Sequence, residues 1–164
     1  MLCTATTTRL KGNPNNDSYL EYYVIKQVLT AFLSLFLLSG CARNKSDAYL
    51  FPGQDLTRIN SYYVVKLEAD DRGVNELIVK KLAALGKQAT TGAAADAPEQ
   101  VDAMVTYVDK WMWDITMYMI ELTVVIEDPK DNFPLARGNS LHTSLTRLSP
   151  EKMVDEVITT IFNK

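Results

Sequence analysis

Few residues in this chain are of a type that could do covalent or acid–base chemistry: two cysteines, Cys3 and Cys41, and one histidine, His142. Cys41 closes an apolar run, so the pair gives no disulfide framework. A catalytic histidine needs a positioned nucleophile and an orienting acid, and no nucleophile motif surrounds His142. Its parity is opposite to that of Leu141, Thr143 and Leu145, which predicts a surface histidine. No His or Cys pair stands at metal-ligand spacing, and Asp70-Asp71 reads as helix capping. The seven glycines are scattered, with no phosphate-binding spacing among them. The expectation is a protein that is not an enzyme and uses no metal or cofactor.

Cys41 has another chemistry open to it. Lys26 supplies a positive charge, Val28 to Leu38 an apolar stretch, and Ser39-Gly40 two small residues before the thiol. That is the order of a secretory signal peptide. The stretch is about half of the ~20 residues a spanning helix needs, which argues against a permanent transmembrane anchor. Leu38-Ser39-Gly40-Cys41 resembles the lipobox of bacterial lipoproteins: aliphatic, small, small, cysteine. The resemblance implies a diacylglyceryl thioether on Cys41, cleavage of the Gly40–Cys41 bond and acylation of the new amine. Each buried CH₂ contributes about 0.8 kcal/mol, so two or three chains on one residue hold firmly. Ala42 comes next, rather than the Asp that retains such proteins in the inner membrane; this implies the inner face of an outer membrane. The competing reading makes residues 28–41 a buried helix with a chance cysteine.

The residues before this signal are polar and rich in Thr and Asn, which leaves it far from the N-terminus. The spacing predicts translation from Val24, with 1–23 a mis-annotated extension, 24–40 the signal peptide, 41–55 a lipidated, extended tether and 56–164 one periplasmic domain. Of 17 basic and 20 acidic residues, Arg9, Lys11, Lys26, Asp17 and Glu21 precede Cys41, leaving 14 against 18. The resulting net charge of −4 on residues 41–164 argues against a nucleic-acid partner.

The elements of the domain are read from hydrophobic period. Arg58 to Leu67 predicts a strand with both faces partly covered, and Val74, Leu77, Ile78, Leu82 and Leu85 a helix ended by Gly86. Lys87 to Gly92 reads as a short strand and 93–99 as a loop. Val101–Asp109 and Asp114–Asp128 read as long strands, with Tyr118, Ile120, Leu122, Val124 and Ile126 on the core face. After a turn at 128–132 comes a strand from Leu135 to Thr146. Ser149-Pro150-Glu151 then opens a helix with its stripe at Met153, Val154, Val157, Ile158, Ile161 and Phe162. The expected fold class is α+β: a mainly antiparallel sheet with two helices on one face, in the order β-α-(β)-β-β-β-α.

One stretch stands out. Opposite the core face, Trp113, Ile115, Met117 and Met119 stay apolar, next to Trp111, where a half-covered sheet should be polar. Two readings stay open: a partner face, since Trp and Met are enriched at contacts, or ordinary core covered by the tether or the 93–99 loop. Residues 107–128 with Leu135-Ala136-Arg137-Gly138 to Ser144 resemble small proteobacterial envelope lipoproteins. That resemblance covers most of 58–163 and transfers no catalytic residue. The expected function is a membrane-anchored binding or envelope-assembly module with an envelope protein as partner. The alternative is a small-ligand or lipid carrier with a pocket between sheet and helices.

Overall fold

The computed structural model describes residues 22–32 and 44–164. The chain divides into two compact units, Met1–Cys41 and Ala42–Lys164. Leu38, Ser39, Gly40 and Cys41 lie outside the described residues. In the first unit residues 22–32 are helical (α1). No helix among the described residues is long and apolar enough to cross a membrane.

The second unit holds β1 (Lys45–Leu50), β2 (Ser61–Val65), α2 (Val74–Ala84), β3 (Gln88–Gly92), β4 (Ala103–Trp113), β5 (Met117–Glu127), β6 (Pro134–Leu141) and α3 (Pro150–Phe162). The strands form one six-stranded sheet in the order β1-β6-β5-β4-β2-β3. Pairing is parallel for β2 with β3 and for β2 with β4, and antiparallel elsewhere. Helices α2 and α3 contact each other as well as the sheet.

This corrects the expected fold class in three ways. The sheet is mixed, the described residues include a third helix, α1, and a strand precedes the one expected first. The mixed pairing comes from α2, which returns the chain over the sheet so that β3 lies parallel beside β2; β4 then pairs with the other side of β2. Periodicity detects strands but carries no direction. Strand β1 falls where a loose tether was expected. Its sequence Lys-Ser-Asp-Ala-Tyr-Leu is mostly polar because an edge strand needs hydrogen bonds from one neighbour only, here β6.

The core lies between helices and sheet. Fully buried Val64, Ile78, Leu82, Leu122, Val124 and Ile158 meet there, each side chain contributing about 1.5–3 kcal/mol. Helix α3 is capped as expected: Pro150 opens it and the Ser149 hydroxyl accepts from the Lys152 N–H. Helix α2 begins after Gly73, whose φ of 71° is left-handed. The turn leading into it and its second residue, Asn75, are held by Asp70, buried at 5% exposure. The Asp70 carboxylate accepts from the N–H of Arg72 (3.0 Å), Gly73 (2.8 Å) and Asn75 (3.1 Å). The Tyr107 hydroxyl donates to it as well, at 2.6 Å.

Candidate functional site

The apolar stretch of β4 and β5 is split by a single irregularity in pairing. Lys110 lies opposite Glu121, but its neighbour Trp111 lies opposite Met119, so β5 carries one extra residue, Ile120. A side-chain period of two turns this slip into an exchange of faces. Leu122, Val124 and Ile126 point to the helices as expected, but beyond the bulge Met119 does, with no exposed area. Tyr118 takes the other face, where the Arg147 guanidinium sits 4.8 Å from its ring centroid.

The expected partner residues therefore divide. Met119 is core, and Trp111 packs against it as a half-buried side chain. The Trp111 ring is held on both sides: its Nε1–H donates to Asp109 at 2.6 Å, and the Arg72 guanidinium lies 4.2 Å from its centroid. Trp113, Ile115 and Met117 are exposed, at 70%, 83% and 45%. They form the tip of the β4–β5 hairpin, whose turn comes at 114–116, later in the chain than expected.

The tip is braced by the segment after β6, a contact that hydrophobic period gives no sign of. Arg147 donates to the Thr116 hydroxyl at 2.9 Å, reaches Asp114 at 3.7 Å and donates to the Ser144 carbonyl at 3.1 Å. That segment adds an apolar side chain of its own, Leu145, 84% exposed. Three large apolar residues of the tip and one of the segment bracing it are thus exposed beside polar groups that are occupied. An isolated exposed apolar side chain is ordinary; several near one pinned tip make it a candidate contact surface.

His142 departs from the expectation of a surface residue. It is only 6% exposed, and its Nε2 lies 2.7 Å from Glu156 Oε2 on α3. The Ser140 hydroxyl donates to the same oxygen at 2.6 Å. The face of β6 under α3 is Ala136, Gly138, Ser140 and His142, while Leu141 is half-exposed. The reason is closeness: a Cβ on Gly138 would lie 2.7 Å from Ile161 Cγ1 and 2.8 Å from Val157 Cγ2. Small and polar residues fill a gap too tight for leucines, so apolar parity picked the wrong side. Serine and histidine both converge on the acid, and the serine does not bond the histidine; a nucleophile–base–acid relay has a different order. Among the described residues no group of three His, Cys, Asp or Glu side chains could hold a metal ion.

Two further polar groups have physical causes on view. Burial works to raise Asp70, but the bonds from Tyr107, Asn75, Arg72 and Gly73 outweigh it and hold the carboxyl below its ordinary range. Burial, with the bond to Asp70, pushes the Tyr107 hydroxyl up. On the open sheet face Lys110 donates to Glu121 at 2.7 Å, and Asn139 donates to Glu121 at 2.8 Å and to Thr123 at 2.9 Å. Those bonds, Lys110's first, hold Glu121 low, and they give the middle of that face the polar row of a solvated sheet.

No family model matches the chain, and no curated protein matches it. Among solved structures it is similar to the PelC dodecamer from Paraburkholderia phytofirmans, with 12% identity over 73% of this chain and 98% of that one, at a TM-score of 0.55. A leucine-to-methionine variant of that dodecamer gives 16% identity over 72% and 96%, at 0.51. A PDZ domain protein from Parabacteroides distasonis matches at 10% identity over 83% of this chain and 39% of that one, at 0.47. At these identities the likeness to PelC shows the fold alone.

Proposed function

We propose that this chain is a lipid-anchored, non-enzymatic scaffold of a bacterial cell envelope that assembles with copies of itself. The observation that carries the reading is the extent of the likeness: the fold accounts for 98% of a chain whose structure is a dodecamer. The sheet supports it physically. Its end strands β1 and β3 each have one neighbour, so the domain presents two different edges. Two different surfaces suit the head-to-tail contacts of a closed ring, whereas a twofold dimer would use one.

The anchor is the lipid on Cys41, supported by the complete match of Leu38-Ser39-Gly40-Cys41 to the lipobox pattern. Ala42 after it favours the inner face of the outer membrane. The carrier alternative needs empty space between sheet and helices, where Val64, Ile78, Leu82, Leu122, Val124 and Ile158 are fully buried. Among the described residues one groove, of ≈ 290 Å³ beside Leu56, Lys87 and Phe162, is open to the surface.

The test is the mass of the detergent-extracted, lipidated protein by light scattering after size exclusion. A species of many copies is expected, and a monomer at micromolar concentration overturns self-assembly. Loss of membrane association in Cys41→Ser checks the anchor; a variant still bound to membranes means the lipobox reading is wrong.

A further inference from the structure

We infer that the β4–β5 hairpin tip, with Trp113, Ile115, Met117 and Leu145, dips into the same membrane that holds the lipid on Cys41. The domain then stands on the bilayer by one fixed end. This rests on the anchoring proposed for Cys41 and deepens it.

The first argument is chain length. Strand β1 starts at Lys45, so residues 42–44 alone connect it to Cys41. An extended chain spans at most about 3.6 Å per residue, which keeps the lipidated residue within ~14 Å of Lys45. Asn44 is itself fixed, its side-chain oxygen accepting from the Thr146 hydroxyl beside Leu145.

The second argument is register. Lys45 lies opposite Leu141, Leu141 opposite Glu121, and Glu121 opposite Lys110. The start of β1 and the hairpin tip are therefore at the same end of the sheet, three strand spacings apart, about 14 Å. From that row β4 runs on through Trp111, Met112 and Trp113, which carries the tip about 10 Å further. The short leash and the projecting tip thus reach comparable heights on one side of the domain.

The third argument is chemistry. Tryptophan and aliphatic side chains on a projecting tip suit the boundary between headgroups and acyl chains, with tryptophan preferring that level. Arg147, beside the tip, is placed where lipid phosphates would be, while it neutralises Asp114. A soluble partner would have to reach this surface through the ~14 Å or less that the leash leaves between domain and bilayer.

The test uses the full lipidated protein reconstituted into vesicles of phosphatidylethanolamine and phosphatidylglycerol, with and without brominated acyl chains. The two tryptophans differ in setting, Trp113 exposed and Trp111 packed under Arg72. Emission is expected to fall by roughly a third or more in brominated vesicles, and Trp113→Phe is expected to remove most of that fall. Equal emission in both kinds of vesicle, from protein that floats with them and carries lipid on Cys41 by mass spectrometry, overturns the inference and leaves the anchor intact. Trp113 shielded from aqueous iodide and from bromolipid alike also overturns it, because the tip is then buried against protein. An unmodified Cys41 overturns the anchoring reading and this one with it.

Discussion

Met117 and Met119 are two residues apart on one strand, and simple alternation gives them the same environment. The bulge does too in direction, but their depth differs: Met119 is fully buried beside Trp111, and Met117 is 45% exposed at the tip. Truncating a buried methionine to alanine removes its transfer free energy and leaves a cavity, about 2–5 kcal/mol in all. The closeness of Trp111 on the partner strand limits collapse into that space, which puts Met119→Ala near the middle, ~3 kcal/mol. For a domain of this size a loss of 1 kcal/mol lowers Tm by about 4 °C, so a drop on the order of 12 °C is expected. Met117→Ala should stay within about 0.5 kcal/mol, as surface substitutions do. Urea unfolding of the detergent-solubilised protein, followed by circular dichroism, separates the two. Equal losses would overturn this account of their depth, since they would put both methionines in the core or neither.

Two other perturbations concern the packing of α3 and the charge at Asp70. Gly138→Ala places a methyl 2.7 Å from Ile161 Cγ1, and is expected to cost about 1–3 kcal/mol by forcing α3 off the sheet, read as a lower unfolding midpoint. Asp70→Asn removes a charged acceptor that serves three N–H groups and the Tyr107 hydroxyl, with an expected loss of about 1.5–3 kcal/mol at neutral pH. Because the folded state holds Asp70 below its unfolded value near ~3.9, that stabilisation is present above about pH 4 and is lost as the pH falls through the lower folded value. The gap in stability between wild type and Asp70→Asn should therefore narrow in acid; a gap that widens there would show that the carboxylate is not the stabilising form.

Elements whose signals are local can be read from the amino-acid sequence. Helix α3 was legible because a cap, a proline and a full apolar stripe coincide, and α2 because its stripe ends at Gly86, whose φ is 76°. The turn at 128–132 was legible from composition, with Asn132 at a φ of 58°. The candidate surface was half legible: exposed Trp113, Ile115 and Met117 were read from unneeded apolar residues, but Trp111 and Met119 were grouped with them when they lie deeper, against the core. Tertiary contacts settled the rest, because each outcome depends on a segment from far along the chain. β1 needs β6, about ninety residues later, to become a strand at all. The bulge at Ile120 is set by pairing with β4 and leaves no mark in β5's own pattern. His142 is buried because α3 approaches a glycine, and the acid that meets it, Glu156, is supplied by that helix. Period and composition report what a residue can do in a generic setting; which face it takes is fixed by the partner strand or helix that covers it.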